Sequence, residues 1–194
     1  MALIDLTAVR EEARLDSGNT ADDTGGANLT QIAADVSDWI DQELGRTLAS
    51  ATYTKERAKG NGRAFMLTRQ WPVTSITDIF FDPTWAFAAS SALTSTDYAI
   101  GREATGIFHK GSFAKTTRED YAITYVAGYT TYPADLKRLA TKLAVQIYLR
   151  LSGQTHIETS RVTGGSDSES FVRSFITKED QKILNRHSAN WGVS

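Results

Sequence analysis

The spacing of apolar and polar positions changes character most sharply between residues 121 and 151. Tyr121, Ile123 and Tyr125 alternate with Ala122, Thr124 and Val126, the two-residue period of a half-buried strand rich in aromatic and β-branched side chains. Gly128 ends that run. Pro133 suits a first helical position, where its missing N–H costs nothing, and Asp135 sets negative charge against the positive end of the helix dipole. From Leu136 the apolar stripe continues through Leu139, Ala140, Leu143, Ala144, Ile147, Tyr148 and Leu151, with Lys137, Arg138, Lys142 and Arg150 mostly off it and read as a solvated face. Burial of the larger side chains stabilises by roughly 1.5 to 3 kcal/mol each, so this helix is expected to be the spine of the core.

The same period appears twice more. Asp5 can cap a short helix with Leu6, Val9 and Ala13 on one face, and Asn28 precedes a longer stripe of Leu29, Ile32, Ala33, Val36, Ile40 and Leu44 that Gly45 stops. Trp39 borders that stripe and suits core or interface. Residues 16–27 between the two helices are polar and glycine-rich and read as a loop.

After Leu48 the pattern is that of strands. Lys55, Arg57 and Lys59 share one side of a polar strand; Gly60, Asn61 and Gly62 form a hairpin signal, and residues 63–68 are expected to return as its partner. Val73, Ile76, Ile79 and Phe81 predict a further strand that Asp82 and Pro83 turn. Residues 84–96 include Trp85 and Phe87. They are too apolar for a routine loop and suit either a core plug or a contact with a neighbouring subunit. Strands follow at 98–101 and 106–109. Residues 152–170 carry glycine, serine and threonine with few apolar positions and predict a flexible linker. Beyond it Phe171, Val172, Phe175 and Ile176 cluster, and Thr177 with Asp180 resembles a capping box opening a short helix through Ile183 and Leu184.

Composition changes this picture little. At 194 residues, 41% hydrophobic and 23% charged, the chain has the balance of a globular protein with one sizeable core. Its net charge of -2 argues against a dedicated nucleic-acid binder, and the absence of cysteine excludes disulfides and thiolate chemistry. No basic-then-apolar leader and no long apolar run is visible, so a protein made in the cytoplasm, without membrane contact, is expected.

Catalytic templates fail individually. His109, His156 and His187 lie in separate regions without metal-ligand spacing. Residues 101–106, GREATG, have the glycine spacing of a phosphate loop, yet Ile107 and Phe108 stand where Lys and Ser or Thr are required, so an ordinary turn is expected. No GxSxG elbow presents a nucleophile. No catalytic residue, metal site or cofactor is expected. The basic side chains Lys55, Arg57, Lys59, Arg63 and Arg69 allow two readings, a finger that contacts phosphate or charges that blunt an exposed edge. A DNA-interacting module, with Tyr53 and Trp71 as stacking groups, is the alternative function.

Several motifs in order carry a resemblance. Pro72, Val73, Ser75 and Ile76 are followed by Asp97, Tyr98 and Ile100, by Gly106 and Ile107, by Tyr125, Ala127, Gly128 and Tyr129, and by Pro133, Asp135 and Leu136 leading a long helix. Over residues 4–151 the chain resembles the head-tail connector proteins of tailed bacteriophages, also called head-completion or adaptor proteins. The fold expected is α+β and mainly helical: a small helical bundle around a long central helix, with an inserted antiparallel β hairpin and sheet region and a flexible C-terminal tail. Residues 1–151 would be the connector core, 152–170 the linker and 171–194 a docking segment.

The resemblance implies a structural virion protein that forms a homo-oligomeric ring, commonly of about twelve copies, beneath the portal protein. Such a ring extends the DNA channel at the head-tail interface and offers a platform to a stopper or tail protein. Double-stranded DNA would pass without specific binding, which mild acidity favours. Phe171, Val172, Phe175, Ile176, Ile183 and Leu184 are then expected to dock on the portal, and Lys55, Arg57, Asn61, Arg63, Trp85 and Phe87 to lie at the ring interface or lumen.

Overall fold

Three of the helices begin where a side chain satisfies an orphan backbone amide, and one of them ends on a glycine. In the computed structural model, which describes residues 2–13, 28–102, 104–151 and 175–188, α1 spans Leu6–Glu12 and α2 spans Leu29–Leu44. Asp5 accepts a bond from the Thr7 amide at 2.9 Å, and Asn28 one from the Gln31 amide at 3.1 Å. Gly45 closes α2 in the left-handed conformation, with φ of 65°. Helix α3 covers Ala134–Leu151 and α4 covers Lys178–His187, the latter opened by the capping box of Thr177 and Asp180.

The chain divides into two compact units, residues 1–45 with 131–194 and residues 46–130. In the first, α1, α2 and α4 each pack on α3, and the core is the predicted stripes: Val36, Ile40, Leu136, Leu143 and Ala144 have no exposed surface. Trp39 is buried with them. No helix among the described residues is long and apolar enough to cross a membrane.

The second unit holds β1 (Ala51–Ala58), β2 (Phe65–Leu67), β3 (Val73–Phe81), β4 (Tyr98–Ile100), β5 (Gly106–His109) and β6 (Tyr121–Ala127). These form two antiparallel sheets, ordered β1-β6-β3 and β2-β5-β4. Met66 and Ile107 from the smaller sheet join Ile79, Ile123 and Tyr125 from the larger, with Phe113, in one apolar core. Where the chain enters and leaves this unit, the buried Arg46 guanidinium stacks 3.4 Å from the centre of the Trp71 ring, donates to the Trp71 carbonyl, and faces Tyr129.

This corrects the fold expected from the sequence, a mainly helical bundle around a long central helix with an inserted hairpin. The described residues instead form four α-helices and two three-stranded sheets, and the sheets enclose a core of their own. The hairpin is also absent: β1 pairs with β6, and β2 with β5. The reason lies at Gly60. A Cβ there would collide with the Ala114 carbonyl and the Tyr121 ring, so this glycine admits a crossing segment, fixed by the Gly60 amide on Thr116 Oγ1 at 2.9 Å. The strands therefore diverge where a tight turn would have joined them. The linker read at 152–170, and the loop at 16–27, lie outside the described residues.

Candidate functional site

Four of the residues singled out from the sequence meet on the sheet unit. Between Tyr53 and Glu56 the register of β1 against β6 slips, with Thr54 and Lys55 standing against Thr124 alone. Lys55 takes a φ of 51° at this bulge and its amide is caught by Thr124 Oγ1 at 3.2 Å. Before the bulge Tyr53 stacks on Tyr125 against the core, while beyond it Arg57 is placed with its guanidinium 4.0 Å from the centre of the Phe87 ring and 5.8 Å from that of Trp85. Lys55 Nζ reaches the Phe87 carbonyl at 3.5 Å.

Asp82 holds the aromatic half of this cluster. One carboxylate oxygen accepts from the Thr84 amide at 2.8 Å and hydroxyl at 2.6 Å, and the other from the Phe87 amide at 2.8 Å. The Thr84 hydroxyl, helped by these amides and opposed by burial, lowers the Asp82 pKa below the usual carboxylate range. Within this frame Trp85 and Phe87 adopt φ of 64° and 45°, uncommon for aromatic residues. Their fates differ: Phe87 is buried, whereas Trp85 is 48% exposed. The segment at 84–96 is thus both plug and surface. Trp85 donates to Asp120 at 3.0 Å, and the Arg118 guanidinium lies 5.0 Å from its ring centre and bonds the Pro83 carbonyl at 3.4 Å.

Asn61 and Arg63 stand apart from this group in the turn before β2, where Asn61 accepts from the Arg63 amide and donates to the Phe65 carbonyl. Both are exposed. Sequence reading missed Arg118, Asp120 and the role of Asp82. The Asp-Pro-Thr spacing at 82–84 was a signal for the last, since an aspartate two residues before a threonine can close an Asx turn; Arg118 and Asp120 carry no local signature.

The C-terminal candidates are placed by α4. Leu184 is buried at 1% exposure, Ile183 and Ile176 are half-buried, and Phe175 lies with its ring centre 5.4 Å from the Arg150 guanidinium. Two groups of polar contacts fix the helix: the Lys142 ion pair with Asp180, and Asp135 paired with Arg186 at 3.3 Å and hydrogen-bonded to His187 at 2.9 Å. Lys142 is therefore a tether and not part of a solvated face. Ile176, Thr177, Lys178 and Gln181 with Glu43 line an open groove beside it. Phe171 and Val172 lie outside the described residues.

Gly101, Ala104 and Gly106 make a turn, closed by the Gly101 amide on the Gly106 carbonyl at 2.9 Å and the Ala104 amide on the Gly101 carbonyl at 2.8 Å. Among the described residues no three metal-ligating side chains converge. What the surface does offer is contact chemistry, stacked cations and an exposed indole, in a fixed arrangement.

The fold has known counterparts. A chain in the neck of an empty gene transfer agent (GTA) particle, computed with C6 symmetry, matches with a TM-score of 0.53 at 14% identity, over 89% of this chain and 88% of that one. One in the neck of a native GTA particle, computed with C12 symmetry, matches with a TM-score of 0.52 at 14% identity, over 94% and 88%. No curated protein matches the sequence. The sequence pattern of the family described as Head completion protein, by contrast, matches residues 2–188. The chain belongs to the head completion protein family and is a structural head-tail connector of the virion.

Proposed function

We infer that this protein works as a ring beneath the portal, through surface contacts and without bond-making chemistry of its own. The observation that carries this reading is the family match across residues 2–188, supported by a fold like that of GTA neck chains in assemblies of C6 and C12 symmetry. About twelve copies close the ring, and each copy needs two unlike patches, because head-to-tail contacts close a ring only when the two faces differ. The ring extends the channel for double-stranded DNA and presents its far side to a stopper or tail protein.

Portal contact is assigned to the C-terminal segment, with Phe171, Val172, Phe175 and Ile176 as the docking side chains. Helix α4 anchors that segment to its own unit through Leu184, and Ile183 flanks the anchor. Replacing Phe171 and Val172 by aspartate tests the assignment without removing the buried anchor. The altered chain is expected to fold as before and to lose attachment to portal-containing heads; unchanged attachment would refute the docking role.

A further inference from the structure

Charge is divided unevenly along the sequence. Residues 1–45 hold ten Asp and Glu against two Lys and Arg, whereas residues 46–130 hold seven against ten. On α2, Gln31, Asp35, Asp38 and Gln42 follow at four-, three- and four-residue spacing on the side away from the buried stripe, and all are exposed. Asp35 accepts from Gln31 Nε2 at 2.7 Å, and Asp38 has no partner among the described residues.

On the sheet unit Lys55, Arg57 and Arg118 gather at Trp85 and Phe87, and among the described residues none of the three pairs with a carboxylate. A guanidinium stacked on an aromatic face has its plane fixed and its N–H groups directed outward, the geometry that takes a carboxylate in paired hydrogen bonds. The exposed Trp85 adds an apolar surface beside them, and tryptophan with arginine is the composition of energetic centres in protein interfaces.

We propose that this cation and aromatic cluster on one copy receives the exposed acidic face of α2, Asp35 and Asp38, from a second copy. The inference rests on the ring reading above and supplies its two unlike patches, one from each unit. DNA phosphate is the competing occupant. The acidic helix is favoured because it accompanies the cluster in every copy at equal number, while the net charge of -2 opposes approach to a polyanion.

The chain has no cysteine, so introduced thiols report contacts cleanly. Full-length Ala34→Cys and Ala86→Cys chains, both altered at exposed positions, are mixed and oxidised. The expected product is the mixed disulfide dimer. It should be lost when the Ala86→Cys chain also carries Arg57→Glu and Arg118→Glu, and regained when the Ala34→Cys chain carries Asp35→Lys and Asp38→Lys. Regain shows that the reversed cluster is still folded. A mixed disulfide that ignores the charge reversals, or is absent while the unaltered chain associates in sedimentation velocity, overturns this contact and leaves the ring standing. An unaltered chain that stays monomeric at every concentration and on heads overturns both. Binding of a short DNA duplex that Arg57→Glu abolishes while the disulfide still forms reassigns the cluster to phosphate.

Discussion

Lys142 on α3 reaches Asp180 at the start of α4 with its ammonium 2.7 Å from one carboxylate oxygen and 2.9 Å from the other. The same carboxylate accepts from the Thr177 amide and hydroxyl, so one side chain both caps the helix and ties it to the long one. Asp180→Ala removes both functions and leaves the ammonium without its partner. Because Lys142 is partly exposed, the cost expected is about 2 kcal/mol, below that of a fully buried pair. Hydrogen exchange should quicken in α4 and stay unchanged in the sheet unit; equal protection of α4 in both proteins would contradict the tether.

The attachment of α4 should depend on pH. Burial pushes the carboxyls of Asp180 and Asp135 up, but bonds from Lys142 and Thr177 on the first, and from His187 and the Leu136 amide on the second, outweigh it and hold both below the usual range. A carboxylate whose folded pKa is lowered contributes stability that is fully present above its unfolded value, near pH 4, and is lost as pH falls through the folded value. Protease cleavage within α4 should therefore accelerate only below about pH 4. Constant cleavage from neutrality to pH 3 would remove these carboxylates from the account.

Tyr125 lies fully buried at the centre of the sheet unit, where its hydroxyl donates to Glu56 at 2.8 Å and accepts from the Gln70 amide at 3.2 Å. Burial first, and the Glu56 bond second, push its ionisation far above the ordinary range, so it stays a donor. Tyr125→Phe leaves the Gln70 amide without this partner and Glu56 with the Arg69 amide alone, and should cost about 1 to 3 kcal/mol in urea unfolding. No loss would show that water takes the hydroxyl's place.

Two glycines of positive φ should respond differently to alanine. Gly128, at φ of 105°, would bring a Cβ into collision with the Ala49 carbonyl, beside the Ala49 to Tyr129 bridge. Gly45 has nothing within reach. Gly45→Ala should cost about 1 kcal/mol and Gly128→Ala about 3 kcal/mol or more, read as midpoints of thermal unfolding. Equal shifts would contradict the crowding at Gly128.

Local chemistry made the helices legible from sequence. Asn28 and Gly45 bracket α2, Asp5 caps α1, and Thr177 with Asp180 opens α4 where expected. Strand partners were not legible, because pairing is set by distant segments: nothing in Gly60 distinguishes a tight turn from a close crossing until Ala114 lies against it. At the candidate site, periodicity and apolar content flagged Lys55, Arg57, Trp85 and Phe87. What gathers them is a bulge and the Asp82 turn, and Arg118 and Asp120 arrive from 35 residues along the chain. The exposed acidic side of α2 was overlooked for the opposite reason: solvated acids on a helix look ordinary until a complementary surface exists.

Electron cryomicroscopy of heads carrying the full-length protein tests the central claim most directly. A closed ring of about twelve copies seated on the portal at the head-tail junction is the result predicted. Heads that recruit the chain as scattered single copies, or bear no density for it at that vertex, would contradict it.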